Sequence, residues 1–157
     1  MDWIGRATET LTLESNAIRD LIPKVGDEFI AVGTLLLHMK GRVVVTGIGK
    51  SAIIAQKLVA TFNSTGTPAI FMHAADAIHG DLGLVQQNDP VICISKSGNS
   101  PEIKALVPLL KSRRIALIGM VGNAESYLAQ HSDHQLDTTV AKEACPLDLA
   151  PTSSTAA

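Results

Sequence analysis

The chain has 157 residues, enough for one domain with one well-buried core. Hydrophobic residues make up 46% and charged residues 18%, with a net charge of −2. That balance lacks the basic surplus of a nucleic-acid binder, and no apolar run is long enough to span a bilayer. Three Phe, one Tyr and one Trp form no base-stacking platform, and two cysteines form no disulfide framework. Met1 to Arg6 shows no charged-then-apolar export signal, so the expected location is the cytoplasm, with neither nucleic acid nor membrane as partner.

Apolar positions at Leu11, Leu13, Ala17, Ile18 and Leu21 predict an amphipathic helix from Thr8 to about Leu21, stopped by Pro23. A second helix runs from Gly26 or Asp27 to Met39. It is apolar on more than one face (Phe29, Ile30, Val32, Leu35–Leu37), which predicts burial against the core or a partner subunit. His38 reads as a cation at its C-terminus. From Gly41 onward strands and helices alternate. Strands are expected at Arg42–Thr46, Ala69–Met72, Val91–Ile94, Ile115–Gly119 and, weakly, His134–Asp137. Helices are expected after Gly49 to about Phe62, from Pro101 to Arg113 and from Ser126 to Gln130. This alternation implies a parallel sheet covered on both faces, with ligands at the carboxyl ends of the strands. Pro151-Thr152-Ser153-Ser154-Thr155 looks like a helix start at which the chain stops, as if a C-terminal helix were missing.

The most informative run is Ser95-Lys96-Ser97-Gly98-Asn99-Ser100-Pro101-Glu102. Ser100 is a favoured N-cap, and proline at the first helical position gives up an N–H that has no partner there. Hydroxyls gathered before a helix N-terminus make an anion site, most often for phosphate. Glu102 is either an ordinary acid complementing the helix dipole or a proton-transfer base.

Gly47-Ile48-Gly49-Lys50-Ser51 fails as a Walker A loop, because Val44 stands where its first glycine belongs. Gly47, Gly49 and Ala52 have dinucleotide spacing, yet the second strand ends in His73 rather than an acid. Lys50 faces the same rim as the serine loop and can neutralise a phosphate or a developing enediolate. His73 and His79 follow the second strand, and His79 can serve as acid or base or hold a substrate hydroxyl. Glu143, in Lys142-Glu143-Ala144-Cys145-Pro146, returns to the same rim and forms with Glu102 a pair of acids suited to moving protons between adjacent sugar carbons. Cys93 reads as a buried strand residue and Cys145 as a loop residue; His131 and His134 read as structural.

Together with Ser64–Pro68 and His79-Gly80-Asp81-Leu82-Gly83, these segments resemble the arabinose-5-phosphate isomerases of the sugar isomerase (SIS) domain class, from about Gly41 to the last residue. The resemblance implies a flavodoxin-like α/β three-layer sandwich with a five-stranded parallel sheet. It divides the chain into N-terminal helices (1–40) and an SIS phosphosugar-binding domain (41–157). It implies interconversion of D-ribulose 5-phosphate and D-arabinose 5-phosphate, which feeds Kdo and lipopolysaccharide or capsule synthesis, in a homotetramer with active sites shared between subunits. Lys50, Glu102, Glu143 and His79 take catalytic positions, and Ser95, Ser97 and Ser100 hold the phosphate. Gly66, Thr67, His79, Thr139, Val140 and Ala141 contact substrate, as does the segment from Ala105 into the following helix and turn. No cofactor is required; His73 falls where members can hold zinc, inhibitory rather than needed.

Lys96 departs from the pattern, since that position is usually uncharged. The family's further helix, a following active-site histidine and its CBS domains lie outside these residues, which suggests a truncated core with weakened turnover. Two alternatives stay open: a regulatory phosphosugar-binding SIS module without turnover, and an isomerase of another phosphosugar.

Overall fold

The computed structural model describes residues 2–157. The first half comprises α1 (Trp3–Arg19), a 3-10 turn (Ile22–Lys24), α2 (Asp27–His38), β1 (Val43–Gly47), α3 (Lys50–Ser64), β2 (Ala69–His73) and α4 (Ala74–Ala77). A second 3-10 turn (Asp81–Leu84), β3 (Val91–Ser95), α5 (Pro101–Ser112), β4 (Leu117–Val121), α6 (Tyr127–His131), β5 (His134–Asp137) and α7 (Ser153–Ala156) complete it. The five strands pair entirely in parallel in the order β2-β1-β3-β4-β5, giving the expected three-layer α/β sandwich.

The β-branched runs are apolar throughout because both faces of the sheet are covered. Val43, Val45, Ile92, Ile94 and Ile118 point to one face, where α2 (Val32, Leu35, Leu36) and α3 (Ala55, Leu58, Val59) lie. Val44, Val91, Cys93, Leu117 and Val121 point to the other, against Ile103, Leu106, Val107 and Leu110 of α5 and Leu128 of α6. Cys93 is fully enclosed there, and burial pushes its thiol up to about 12. Pro108 interrupts the hydrogen-bond ladder of α5 only on its exposed side.

Two acids pin the amino edge of the sheet. Buried Asp89 accepts the N–H groups of Arg42 at 3.0 Å and Gln86 at 2.9 Å, and pairs with the Arg42 side chain. Asp133 accepts the Leu117 N–H at 2.9 Å and pairs with Lys111. The edge strand β5 is clamped by α2 and the turn before it. Glu28 reaches the Gln135 N–H and the His134 ring, each at 3.3 Å, and Lys24 reaches Asp137 at 3.1 Å. Such clamping shields an otherwise open strand edge.

Three expectations change. The first helix starts at Trp3, five residues before Thr8, because Asp2 caps it by accepting the Gly5 N–H at 2.8 Å. The fourth strand starts at Leu117, not Ile115. Arg114 adopts a positive φ of 58°, and the Ile115 N–H closes the end of α5 on the Leu110 carbonyl at 3.2 Å, so both residues belong to the turn. The apolar faces of α2 are not buried within one chain: among its described residues Val32 alone is buried, while Phe29, Ile30 and Leu37 are more than half exposed.

The Leu106 side chain is fully buried between α5 and the sheet. Leu106→Ala is expected to lower unfolding free energy by about 2–5 kcal/mol, read from urea denaturation.

Candidate functional site

In a parallel sheet every strand delivers its following loop to one rim. Here that rim gathers Gly47–Lys50, His73, Ser95–Ser100, Gly122–Asn123 and Thr138–Glu143. The serine loop is held by its own hydroxyls. Ser95 Oγ accepts the Gly98 N–H at 3.0 Å, Ser97 Oγ the Asn99 N–H at 3.3 Å, and Ser100 Oγ the Ile103 N–H at 3.4 Å as the N-cap of α5. Each oxygen thus has an amide to accept, which leaves its O–H proton free to donate outward. Gly98 is required twice over: its φ is 62°, and a Cβ there would meet Ser126 Oγ at 2.1 Å. The Asn99 side chain accepts the Tyr127 N–H at 3.1 Å, fastening the loop to α6.

These hydroxyls line an open notch of about 460 Å³, shared with Ile48, Ser51, Lys96, Gly122 and Asn123. Three O–H donors at a helix N-terminus suit a tetrahedral oxyanion. Beside it a more enclosed cavity of about 170 Å³ is lined by Lys50, Ser51, Lys96, Thr138, Ser154 and Thr155, among others. The two spaces share Ser51, Lys96 and Gly122.

Glu143 is 1% exposed. Its Oε1 accepts the Lys96 ammonium at 2.5 Å. Its Oε2 accepts the Thr152 N–H at 2.8 Å, the Thr152 hydroxyl at 3.1 Å and the Ser154 N–H at 3.1 Å. Burial would raise this carboxyl, but the Lys96 hydrogen bond, followed by those from Ser154 and Thr152, outweighs it and holds the group at about 2. Glu143 is therefore an ionised anchor for the tail, with its proton-accepting capacity occupied.

The remaining candidates divide by position. Lys50 opens α3 and lines the enclosed cavity. His79 is exposed beyond α4, and Glu102 sits partly buried in the first turn of α5 but lines neither space. Thr139, Val140 and Ala141 follow β5 on the same rim, where the Thr139 N–H is held by Asp137 at 2.7 Å and its carbonyl by Lys24 at 2.8 Å. Gly66 and Thr67 do not join them. They precede β2, on the amino side of the sheet, separated from His73 by a strand about 16 Å long. Ala105 lies midway along exposed α5 surface.

His73 ends β2 with its Nδ1 3.8 Å from Asp76 Oδ2 and without a hydrogen-bond partner among the described residues. Among the described residues no group of three or more His, Cys, Asp or Glu gathers for a metal. Two donors from one chain fall short of the four-coordinate set of a resident zinc.

Ser51, Gly122, Asn123, Thr138, Thr152 and Ser154 emerge only in three dimensions. Ser51 lay inside a motif read for its lysine. The others carried no spacing signal, because they reach the rim from separate strands and from the tail.

A hydroxyl-lined notch on this sheet order defines a class. Residues 36–157 match the SIS domain family model, and the chain belongs to that family. It is 49% identical to arabinose 5-phosphate isomerase KdsD of Pseudomonas aeruginosa over 155 residues, 99% of this chain and 48% of that protein. It is 46% identical to arabinose 5-phosphate isomerase GutQ of Shigella flexneri over 152 residues, 97% of this chain and 47% of that protein. The chain thus spans about half the length of the curated relatives it matches. A protein of Escherichia coli strain CFT073, solved in complex with a phosphosugar, superposes with a TM-score of 0.93 at 42% identity, covering 98% of this chain and 82% of that one. Among the described residues no helix is long and apolar enough to cross a membrane.

The Glu143 carboxyl titrates at about 2 in the folded chain against 4.5 for a free glutamate. A depressed acid adds stability above its unfolded value and loses it as pH falls through the folded one. The tail latch is therefore expected to be complete above about pH 4.5 and to weaken toward pH 2, a change on the order of 3 kcal/mol. Hydrogen exchange at the Thr152 and Ser154 amides, followed against pH, measures it.

Proposed function

We propose that this SIS domain is an aldose–ketose isomerase interconverting D-ribulose 5-phosphate and D-arabinose 5-phosphate, a step that feeds Kdo synthesis in the cytoplasm. The observation that carries the reading is the notch before α5, where the Ser95, Ser97 and Ser100 hydroxyls keep their protons free for an oxyanion. The 49% identity to a named arabinose 5-phosphate isomerase supports the choice of sugar.

In this reading the phosphate docks on the three hydroxyls at the N-terminus of α5. Binding energy spent there, far from the reacting carbons, positions C1 and C2. A carboxylate, Glu102 or Glu143, removes the proton from C2 of the aldose, next to the carbonyl, giving a cis-enediol. That proton returns to C1 while the C2 hydroxyl proton passes to the C1 oxygen, which leaves the carbonyl at C2 of the ketose. Lys50 or His79 polarises the oxygen that gains negative charge. Carbon oxidation at one centre balances reduction at its neighbour, so no external oxidant or redox cofactor is needed; the reading gives no step to a metal, and zinc at His73 would act as an inhibitor.

The active site is shared in a homotetramer. Gly66 and Thr67 stand on the amino side of the sheet and would meet a sugar only from a neighbouring subunit. The exposed apolar faces of α1 and α2, including Trp3, Ile4, Phe29 and Leu37, supply surface for subunit contact.

One observation favours a second reading. Both Glu143 oxygens are occupied, which suits a phosphosugar-binding regulatory module without turnover. A coupled assay following ribulose 5-phosphate formation from arabinose 5-phosphate separates the two. Glu102→Gln is expected to lower kcat by about 10²–10⁴-fold if Glu102 is the base. Ser97→Ala is expected to raise KM by about 10-fold or more through loss of a charged hydrogen bond. Sugar binding without turnover, indifferent to Glu102→Gln and Glu143→Gln, would remove the isomerase and leave the binding module.

A further inference from the structure

Lys96 is the one charged residue on the border between the serine notch and the enclosed cavity behind it. Its ammonium is paired with Glu143, yet half of its side chain remains exposed. The stem crosses Gly122, where an added Cβ would meet the Lys96 carbonyl at 2.9 Å and its Cγ at 3.0 Å. Any side chain at position 122 would crowd this passage, so glycine leaves the lysine room to lie along it.

The two Glu143 oxygens are held differently. Oε2 takes three donors, all from the tail, whereas Oε1 takes the Lys96 ammonium. Withdrawing Lys96 would bare one oxygen while the other stays fixed by Thr152 and Ser154. A proton-transfer base needs just that arrangement, one free lone pair on a carboxylate locked in place.

We propose that Lys96 is a positioning residue with two alternative anionic partners, a phosphate group in the serine notch and the Glu143 carboxylate, so that filling the notch draws Lys96 away and frees Glu143 Oε1 to accept a proton. The proposal rests on the reading of the notch as the phosphate site. A bound phosphate ester carries about −1.5 to −2 charges at neutral pH against one on Glu143, so it competes well for a flexible point cation. It comes with three hydroxyl donors of its own, so the lysine completes a cradle rather than building one. The resting pair keeps Glu143 ionised and the tail latched; the occupied notch turns the same carboxylate into a stronger base. The charged groups around Glu143 are few. Lys96 comes from the β3–α5 loop, Lys50 from the start of α3 lines the cavity that Lys96 and Ser154 also line, and Asp148 accepts the Glu143 N–H at 3.0 Å within its own loop. Thr152 and Ser154, from the tail, do not titrate.

The test uses the full chain with ¹³C-labelled glutamate, the Glu143 carboxyl signal being assigned by its loss in Glu143→Gln. Inorganic sulfate is the probe, because it remains a tetrahedral dianion from neutral pH down to roughly pH 3, the range into which the Glu143 titration is expected to move from its resting value of about 2. Saturating sulfate is expected to raise the Glu143 midpoint by about 1 pH unit or more. In Lys96→Met the midpoint is expected to be raised already, with no comparable further shift on adding sulfate, whereas Lys96→Arg keeps the sulfate response. The proposal is overturned if sulfate moves the Ser97–Ser100 amide signals and leaves Glu143 where it was, or if Lys96→Met responds as the unaltered chain does. Should Lys96→Met fail to fold, the titration of the unaltered chain decides by itself. If sulfate moves none of those amides, the notch reading and this coupling fall together. If Glu143 responds but arabinose 5-phosphate is not turned over, the coupling stands and the isomerase reading fails.

Discussion

A carboxylate taken out of water stays ionised only where a cation and hydrogen-bond donors replace its hydration. Glu143 meets that requirement with Lys96 on one oxygen and the Thr152 and Ser154 groups on the other. One buried anion therefore ties three distant parts of the chain together: the serine loop after β3, the segment after β5 and the start of α7. The shapes of the notch and of the cavity behind it both depend on this contact, because Lys96 walls both.

That contact is possible because the sheet is parallel. Each strand leaves its ligand-bearing loop on one rim, while the acids that hold the sheet itself, Asp89 and Asp133, sit at the opposite edge. The division has a physical basis. At the amino edge the N–H of Arg42, just before β1, and that of Leu117, at the start of β4, are satisfied by the Asp89 and Asp133 carboxylates. At the carboxyl edge the loop before α5 spends its amides on its own serine oxygens and turns the hydroxyls to the notch at the helix N-terminus, where an anion is welcome. Acids at the first edge are structural; at the second, hydroxyls and lysines prevail.

Much of this was legible in the linear sequence. The β-branched runs at Val43–Val45 and Val91–Ile94 announced strands covered on both faces, and Ser100-Pro101 announced the start of a helix. The strand His134–Asp137 lies where its weak pattern put it. Errors arose where a local contact outweighed periodicity. Asp2 extended the first helix toward the N-terminus by capping it, and the positive φ of Arg114 kept apolar Ile115 out of the strand, its N–H closing α5 on the Leu110 carbonyl. The apolar faces of α2 announced burial correctly as a tendency, but one chain covers only Val32 fully, since α2 lies along the sheet with its other sides outward.

From residue order alone came the element alternation, the hydroxyl loop, the two lysines and the two rim glutamates, because periodicity and capping are short-range properties. Tertiary structure alone decided which of them meet. It joined Lys96 to Glu143 across 47 positions and Thr152 to Glu143 across nine, and it left Glu102 outside both spaces and Gly66 and Thr67 on the far side of the sheet. Whether a carboxylate is an anchor or a free base depends on the partners packed around it. Those partners are set by how strands and loops assemble, which no local pattern in the chain encodes.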